Sequence, residues 1–417
     1  MKVLVVGSGG REHAIVLALV RDPNVVEVHS APGNPGIARV AKVHQVDPLD
    51  GQGLVDLAAK LQIDLVVIGP EAPLVAGVSD QLRAAGFLVF GPSKEAAQLE
   101  GSKAFAKEIM VAANVPTARS YFCTDVQSVE NALDDFGPPY VVKDDGLASG
   151  KGVVVTNDRA EALSHALSCG RVVIEEYLDG PEVSLFGITD GTRIVPLQPA
   201  QDFKRAFDND EGPNTGGMGA YTPLDWAPED LVAEVTQSVL QPTIDEMARR
   251  GTPFSGLLYA GLALTSKGVK VVEFNARFGD PETQPLLALL DSPISELLMG
   301  AASGNLTATP KFKSGAALAV VMSSHGYPQS PRTGDVISGI EEANQVPGVD
   351  VIHAGTSTNA AGELVTSGGR VLAATAQGAD LATARERAYE AVARISFADA
   401  HYRSDIGLSA EQGTIRL

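Results

Sequence analysis

The sequence predicts a multidomain α/β protein that begins with a doubly wound, mostly parallel sheet and ends with a β-rich unit. Three observations carry this prediction. The chain has 417 residues, which is too many for one compact core. Strand and helix patterns alternate over roughly the first 100 residues, as in parallel sheets covered by helices. From about residue 313 onward, short strands and turns dominate, and we expect a separate unit there.

The composition is that of an ordinary globular protein, with 44% hydrophobic and 20% charged residues. A formal net charge of −19 argues against a general nucleic-acid or anionic-membrane binder. The two cysteines, Cys123 and Cys169, form no disulfide framework, which favours a reducing cytoplasm. We see no signal peptide, and no apolar run reaches the roughly 18 residues of a membrane span. We therefore expect a cytoplasmic monomer or weak homodimer with small-molecule partners, no nucleic acid and no membrane.

The first unit is predicted from β-branched runs that alternate with helical patterns. The predicted strands are residues 3–6, 25–29, 65–68 and 88–90, and the predicted helices are 11–21, 54–61 and 78–85. In such sheets, ligands bind beyond the carboxyl ends of the strands. Because the loops at Gly7, Gly33 and Gly69 follow three of these strands, we expect them to line one crevice.

The first loop, residues 7–10, is similar to a dinucleotide-binding fingerprint but departs from it. The fingerprint requires a third glycine where this chain has Glu12, and the second strand ends at His29 rather than at an acid. Both departures argue against a nicotinamide dehydrogenase. The backbone amides of Gly9 and Gly10, at the start of a helix, could still hold a single phosphate.

The next segment predicts a hairpin with a glycine-rich tip. Strands at residues 140–143 and 153–156 enclose the loop 144–152, which is suited to closing over a phosphate. The loop is not a P-loop, because three residues separate Gly146 from Gly150 and Gly152 follows Lys151. A helix over 103–113, a helix over 160–169 and a strand over 171–176 complete this segment.

A larger sheet is predicted from strands at residues 183–188, 194–196, 258–265 and 269–274, and a helix is expected over 228–250. Between these elements lies the glycine-rich stretch 212–220. Glycine in this quantity, without repetition, indicates a backbone packed close to a ligand or a mobile loop.

The last strand of that sheet carries the strongest chemical signal. Residues two apart in a strand share a face, so Glu273, Asn275 and Arg277 are expected to point the same way. A carboxylate and an amide oxygen suit Mg²⁺, and a guanidinium suits a carboxylate or phosphate. The alternative is an edge strand with a solvated polar face. The turn at residues 279–281, with its acid Asp280, favours a metal and anion site.

The C-terminal unit is predicted from strands at residues 316–322, 351–353 and 370–375, a strand start at 334–337 and a helix over 381–395. We expect His325 and His353 to be structural rather than catalytic. We also see no internal repeat and no low-complexity tract.

Taken together, these motifs resemble the ATP-grasp ligases, and among them the glycinamide ribonucleotide synthetase family of purine biosynthesis. The resemblance rests on the blocks 7–14, 31–34, 69–74, 98–103, 212–221 and 277–285, of which the last two are the most specific. It implies an N-terminal substrate-binding domain (1–101), an ATP-grasp domain (102–312) with a lid subdomain at about 117–185, and a C-terminal β-rich domain (313–417). Two residues depart from the family pattern: Asp144 replaces the usual Ala, and Phe203 replaces the usual His.

The resemblance implies ATP-dependent joining of glycine to 5-phosphoribosylamine through a glycyl phosphate, giving glycinamide ribonucleotide, ADP and phosphate. A carboxylate is a poor electrophile, and phosphorylation gives it a good leaving group; such transfer depends mostly on positioning and charge neutralisation. The alternative is another ATP-grasp carboxylate–amine ligase, or a carboxylase, with a different acceptor. A nucleotide-binding regulator without catalysis is disfavoured by the intact polar row at Glu273, Asn275 and Arg277.

The resemblance also implies roles for individual residues. The ATP phosphates are assigned to Lys103, Lys143, Gly150, Lys151 and Gly152. The adenine is assigned to Glu175, Glu176 and Leu178, and the ribose to Glu182. The metal, Mg²⁺ or Mn²⁺, is assigned to Glu273 and Asn275. Phosphoribosylamine is assigned to Gly9, Gly10, Asn34, Glu71, Asp202 and Asp280. Arg277, Lys143 and Asp280 are assigned to catalysis, with Arg277 steadying the glycine carboxylate and the acyl phosphate.

Overall fold

The structure, a computed structural model, describes residues 1–146 and 152–417. It opens with the predicted parallel sheet. The strands of this sheet, from one edge to the other, are Lys42–Val43, Glu27–Pro32, Lys2–Gly7, Leu65–Ile68 and Leu88–Phe90. The helical elements of this unit are Gly10–Val20, Ile37–Arg39, Gly51–Leu61, Glu71–Ala76 and Val78–Ala84.

Both faces of this sheet are covered, which is why its strands are continuously apolar. Val3 and Val5 belong to one core together with Ile15 of the first helix. Leu4, whose side chain points to the other face, belongs to the opposite core together with Leu54. The predicted doubly wound architecture is confirmed.

The glycine-rich hairpin belongs to a small antiparallel sheet with its own core. The strand order is Ser120–Cys123, Val172–Glu175, Tyr140–Asp144 and Val153–Thr156. Helices Val126–Phe136 and Arg159–Ser168 contribute to a separate cluster that includes Leu133 and Ile174. The assignments of Gly150 and Lys151 to ATP phosphates lie outside the described residues.

The central sheet is antiparallel, and its strands are Ile194–Pro196, Glu182–Asp190, Ser255–Thr265 and Gly268–Asn275. The helices around it are Gln98–Gly101, Lys103–Ala112, Leu231–Val235, Gln241–Arg249, Thr283–Leu289 and Ile294–Ser303. The helix predicted over 228–250 is present over 231–249, and one π-turn at Thr236–Leu240 joins its two α-helical parts. Pro242 has no backbone N–H to donate to the preceding turn, so the α-helical ladder cannot run through this point.

The C-terminal β-rich unit is confirmed, and its main sheet also includes two strands from the central segment. The third large sheet runs Gln201–Asp202, Gly219–Thr222, Ala316–Ser323, Arg370–Gly378 and Val349–His353, so its first two strands come from the central segment. The helices are Ile340–Ala343, Leu381–Arg394 and Leu408–Glu411. Two small ribbons pair Arg205–Phe207 with Glu211–Asn214 and Thr356–Thr358 with Leu364–Thr366, and a 3₁₀ turn covers Asp208–Asp210. The strand start predicted at 334–337 is only an isolated bridge between Val336 and Val365.

Sharing a sheet fixes the glycine-rich stretch against the C-terminal unit. Gly219–Thr222 pairs directly with Ala316–Ser323, and one apolar core runs from Leu4 of the first sheet through Leu258 to Leu318. The loop before Gly219–Thr222 is therefore held between the central and the C-terminal strands.

Candidate active site

The three loops predicted to share a crevice do meet at the carboxyl edge of the first sheet. Gly33 N–H donates to the Gly7 carbonyl at 3.1 Å, and Gly69 N–H donates to the Val6 carbonyl at 3.0 Å. Arg11 Nη1 crosses to the Gly69 carbonyl at 3.1 Å. The prediction of one crevice is confirmed.

The start of the first helix is already occupied by carboxylates of the chain itself. Gly9 N–H donates to Glu12 Oε2 at 2.6 Å, and Arg11 N–H donates to Asp280 Oδ2 at 3.0 Å. Burial raises the pKa of Glu12, although the Arg11 guanidinium counteracts this. Glu12, the residue that breaks the dinucleotide fingerprint, thus fills the position where a pyrophosphate would approach the helix.

Asn34 serves mainly to join loops. Its Nδ2 donates to the carbonyls of Ser8 (2.8 Å) and His353 (2.9 Å), and its Oδ1 accepts from Ile37 N–H at 3.0 Å. His353 is buried, and its N–H donates to His13 Nδ1 at 2.8 Å, in keeping with the structural role expected for it.

Asp280 lies at the junction of all three large sheets. Its Oδ1 accepts from Gln284 Nε2 at 3.0 Å and lies 3.4 Å from Arg370 Nη1, while Oδ2 accepts from Arg11 N–H. Burial would raise the pKa of Asp280, but the charges of Arg370 and Arg11 bring it below the ordinary value. Asp280 is therefore a half-buried, ionised acceptor.

The glycine-rich stretch is packed against this aspartate turn. Gly217 adopts φ +108°, and a Cβ at this position would lie 2.4 Å from Pro281 Cδ, so only glycine fits. Arg370 Nη1 donates to the carbonyls of Gly216 and Asp280, and Gly216 N–H donates to Tyr327 Oη at 2.9 Å. The backbone is therefore packed closely against other residues of the chain, and its expected approach to a ligand stays a prediction.

Arg277 is bracketed by two carboxylates. Its Nη2 lies 2.8 Å from Glu100 Oε1, and its Nε lies 3.3 Å from Glu71 Oε2. Burial raises the pKa of Glu100, and burial would raise that of Glu71 too, but the Arg277 and Arg11 charges lower it. An anionic substrate group at Arg277 would therefore share the guanidinium with carboxylates that already neutralise it.

Glu273 and Asn275 lie two apart on the last strand of the central sheet, opposite Gly261 and Tyr259. Arg277 follows the end of that strand, yet its Nη2 donates to Asn275 Oδ1 at 3.4 Å, so the predicted row stays together. The described residues contain no group of three His, Cys, Asp or Glu side chains placed to hold a metal ion. A metal at Glu273 and Asn275 would need ligands from elsewhere, such as phosphate oxygens.

Lys143 is buried in a triad with one carboxylate and a second lysine. Glu175 Oε2 lies 2.6 Å from Lys143 Nζ, and Glu175 Oε1 lies 2.8 Å from Lys107 Nζ. Lys143 also donates to the Val272 carbonyl at 3.2 Å, which ties the lid to the strand bearing Glu273. Burial would lower the pKa of Lys143, but the charges of Glu175 and Glu273 raise it, so its ammonium stays charged.

A second cluster of charged side chains lies at the start of strand Glu182–Asp190. Lys204 Nζ contacts Glu182 Oε2. Burial and the negative charges of Glu282, Glu182 and Glu273, opposed by Lys204, raise the pKa of Asp202 to about 7. This region therefore holds more negative charge than its own cations offset, which is the environment that a divalent cation would relieve.

The remaining assigned residues lie around the lid. Lys103 Nζ donates to the Gly146 carbonyl at 2.9 Å, and the Gly152 carbonyl accepts from Asp144 N–H at 2.8 Å. Glu176 is paired with Lys270 at 2.6 Å, and Leu178 follows it outside any regular element. The assigned contacts of these residues with nucleotide stay predictions.

The two departures from the family pattern have different surroundings. The Phe203 ring lies under the Arg403 guanidinium, 5.0 Å from its Cζ, and contributes to a hydrophobic core. Asp144 ends strand Tyr140–Asp144, and the neighbouring Lys143 is paired with Glu175. Phe203 is thus a packing residue.

The comparisons with known proteins decide the family. Models of the phosphoribosylglycinamide synthetase N domain, ATP-grasp (A) domain and C domain match residues 1–100, 101–283 and 317–409. The chain belongs to the phosphoribosylglycinamide synthetase family. Its three matched segments follow one another along nearly the whole chain, and the predicted ATP-grasp core is confirmed.

Relatives of this family member match over full length. The phosphoribosylamine–glycine ligase of Streptomyces coelicolor is 63% identical, over 98% of this chain and 99% of that protein. The enzyme of the same name from Mycobacterium leprae is 53% identical over 100% of both chains. The crystal structure of phosphoribosylamine–glycine ligase from Thermotoga maritima aligns with a TM-score of 0.86 and 33% identity, covering 97% of this chain and 100% of that one.

Three residues of this synthetase-family site escaped the sequence reasoning. Lys107 lies one helical turn after Lys103 and is buried. It is not part of any sequence motif that would have identified it as a site residue. Glu100 stands within the quoted block 98–103 but outside any recognisable metal or phosphate spacing. Arg370 comes from the C-terminal unit, and only the shared sheet brings it to Asp280.

Proposed function

We propose that this chain joins glycine to 5-phosphoribosylamine at the expense of ATP, in purine biosynthesis. It is an ATP-dependent carbon–nitrogen ligase, a phosphoribosylamine–glycine ligase, as its family membership and the full-length 63% identity support. The observation that carries the site is the row Glu273, Asn275 and Arg277, which meets Lys143 at the Val272 carbonyl.

Charge neutralisation by the chain's own residues supports the phosphoryl-transfer step. The buried ammonium of Lys143 stays charged because of Glu175, so it can face a phosphate while anchored to a rigid triad. Arg277, fixed by Glu71 and Glu100, is proposed to orient the glycine carboxylate toward the γ-phosphate and then the acyl phosphate. Lys103 is proposed to hold the ATP phosphates, and the lid hairpin at Gly152 is proposed to close over the nucleotide and exclude water.

A divalent metal is proposed to be held by Glu273 and Asn275, with the remaining ligands from ATP oxygens. Both groups offer hard oxygen donors, and burial together with the negative charges of Glu282, Glu182 and Glu273 raises the pKa of Asp202 to about 7. When bound, Mg²⁺ or Mn²⁺ would neutralise charge on the phosphates being transferred.

Phosphoribosylamine is proposed to bind between the first sheet and the aspartate turn. The assigned residues are Gly9, Gly10, Asn34, Glu71, Asp202 and Asp280. Because Gly9 N–H is engaged by Glu12, the cations that remain near this crevice for a phosphate are Arg11 and Arg370. Adenine is proposed to lie along Glu175, Glu176 and Leu178, and the ribose to reach Glu182.

The division of the chain stays part of this proposal, with boundaries at 1–101, 102–312 and 313–417 and a lid at about 117–185. The separate core of the small sheet supports the lid. In the described residues, no helix has the length and apolar character needed to cross a bilayer. A cytoplasmic location and a monomeric or weakly dimeric state are proposed as well, and sedimentation of the purified chain tests the latter.

The decisive experiment measures phosphate release by the purified chain with ATP, Mg²⁺, glycine and freshly generated phosphoribosylamine. Bicarbonate in place of both substrates tests the carboxylase alternative. Glu273→Gln should abolish turnover while the thermal unfolding midpoint stays unchanged, and Glu363→Gln, an exposed carboxylate of the C-terminal unit, is the matched control. Full activity of Glu273→Gln at ordinary Mg²⁺ would remove the metal assignment.

A further inference from the structure

Glu282 is a buried carboxylate that has no role in the reaction as proposed above. It lies directly before helix Thr283–Leu289 and is only 3% exposed. Its hydrogen bonds within the described residues come from two hydroxyl groups, and it forms no ion pair there. Buried acids are rarely found without a paired cation, because the loss of hydration must be compensated. Glu282 is therefore placed to receive a cationic group from a ligand.

The two oxygens of Glu282 have different surroundings. Oε1 accepts from Tyr259 Oη at 2.8 Å and lies 3.3 Å from Ser184 Oγ. Burial and the charge of Glu282 raise the pKa of Tyr259, so its hydroxyl keeps its proton and donates. Oε2 accepts no hydrogen bond from the described residues, and it is not one of their buried polar atoms that lack a partner, so it reaches solvent. One oxygen is thus fixed by hydroxyl groups, and the other is open to a ligand.

The free oxygen lies beside the polar row of the central sheet. Tyr259 is directly opposite Asn275, and cross-strand partners share a face of the sheet. Its hydrogen bond to Tyr259 therefore holds Glu282 over the face that carries Asn275. A Cβ at Gly279 would lie 2.6 Å from Glu282 Oε2, so glycine at this position leaves the carboxylate its space.

An ammonium group suits this oxygen better than a metal ion does. In the part of the chain that is described, no three His, Cys, Asp or Glu side chains are placed to hold a metal ion, so Glu282 does not complete a metal site with the acids near it. Mg²⁺ also requires several oxygen ligands in a near-octahedral arrangement. An ammonium is a compact charge with three N–H donors, which can use one carboxylate oxygen at a time.

Glycine carries an ammonium one carbon away from its carboxylate, and Arg277 is proposed to hold that carboxylate. Burial would lower the pKa of Arg277, but the charges of Glu100, Glu71 and Glu282 raise it, so Glu282 lies within electrostatic range of the guanidinium. A zwitterion between Arg277 and Glu282 would meet an opposite charge at each end.

We propose that Glu282 Oε2 binds the ammonium of glycine while Arg277 binds its carboxylate. Tyr259 and Ser184 are positioning residues, because they act only by orienting the Glu282 carboxylate. This assignment rests on the proposed function and makes Glu282 a determinant of substrate choice. A carboxylic acid without an amino group would leave the buried carboxylate unpaired and would be rejected before phosphorylation.

Glu282→Gln removes the charge and keeps an oxygen that accepts from both hydroxyl groups. In the phosphate-release assay it should raise the KM for glycine roughly 10- to 100-fold and leave the KM values for ATP and phosphoribosylamine unchanged. Because the variant loses a buried charge without a paired cation, its thermal unfolding midpoint should be unchanged or higher. The exposed Glu363→Gln is the matched control and should behave as the wild type does.

Glycolate, which has a hydroxyl in place of the ammonium, separates charge recognition from packing. As a competitive inhibitor against glycine, it should bind Glu282→Gln at least as well as it binds the wild type. A loss of affinity for both glycine and glycolate would indicate a distorted pocket and would overturn the proposal. Gly279→Ala is the second variant. Its methyl group displaces Oε2 while the charge of Glu282 is kept, and the KM for glycine should rise here too.

The outcomes distinguish this inference from the proposed function. A wild-type chain that turns over glycine and phosphoribosylamine, together with an unchanged KM for glycine in Glu282→Gln, would reject the role of Glu282 and leave the function standing. If Glu282→Gln does not fold, the KM of Gly279→Ala decides in the same way. No phosphate release by the wild type with these substrates would reject the proposed function and this inference with it.

Discussion

Replacing Glu175 by Gln should destabilise the protein strongly, because Glu175 is the one carboxylate between two buried lysines. Its oxygens lie 2.6 Å from Lys143 Nζ and 2.8 Å from Lys107 Nζ, and all three side chains are at most 5% exposed. Hydrogen bonds to charged groups contribute about 1.5–3 kcal/mol each, so losing two removes about 3–6 kcal/mol. The Gln oxygen restores about 1 kcal/mol through one ordinary hydrogen bond. We expect a net loss of about 2–5 kcal/mol, in line with broken buried ion pairs.

The assay is urea unfolding at pH 7, with stability taken from the midpoint and slope. Glu176→Gln is the matched control, since the neighbouring carboxylate is only half-buried and its pairs with Lys270 and Arg119 should contribute about 0–1 kcal/mol. A loss for Glu175→Gln that is no larger than the loss for Glu176→Gln would refute the reasoning. It would mean that the two ammonium groups are satisfied without Glu175.

The pH dependence gives a second, independent check of the same variant. Burial already lowers the pKa of Lys107 below its ordinary value of 10.5, and removing Glu175 removes the main opposing charge. Between the lowered folded-state pKa and 10.5, the unfolded chain binds more protons than the folded one, so stability rises with pH. The deficit of Glu175→Gln relative to the wild type should therefore shrink as the pH is raised from 7 toward 10.

Three further variants test the site. Gly217→Ala places a methyl group against Pro281 at positive φ, and should lower the free energy of unfolding by about 1–3 kcal/mol. It should also reduce kcat/KM, measured by phosphate release. Unchanged kinetics would contradict the idea that the contact of Gly217 with Pro281 supports the active site. Phe203→His restores the residue usual in the family, and should change stability by less than about 1.5 kcal/mol and leave kcat unchanged, since the ring serves packing under Arg403. Arg370→Gln should raise the KM for phosphoribosylamine and leave the KM for ATP unaffected; a rise in both would assign Arg370 to the fold alone.

The local pattern of apolar and β-branched residues was sufficient to predict most of the helices and strands, because each type of element has its own sequence period. The strand at 65–68 and the strand at 153–156 are four-residue apolar or β-branched runs, and the structure has both at these bounds. The π-turn within the helix predicted over 228–250 was not foreseen, because the pattern of apolar residues does not take Pro242 into account. The two strands that the central segment adds to the C-terminal sheet were not foreseen for a non-local reason. Gly219–Thr222 is too short to indicate that it pairs with the distant strand Ala316–Ser323.

The candidate site shows the same division between local and distant information. Glu273 and Asn275 could be predicted because a strand fixes which residues share a face. Glu100, Lys107 and Arg370 could not, because each reaches the site from another element, and single-sequence patterns say nothing of which elements meet. The sequence of the glycine-rich stretch indicated that its backbone could pack closely, but it did not indicate that Pro281 would be the residue in contact.

One electrostatic feature connects these distant residues. Three of the cations proposed to face an anionic substrate group already have a carboxylate beside them: Glu175 for Lys143, Glu100 and Glu71 for Arg277, and Asp280 for Arg370. Such pairing holds the cations rigid and stops them from collapsing onto one another, but it also weakens their pull on a triphosphate. The negative charge that remains, seen in the pKa of about 7 at Asp202, can be offset by a divalent cation arriving with the nucleotide. The site is therefore arranged for ATP together with its metal rather than for the bare anion, which is consistent with a chain whose net charge is −19.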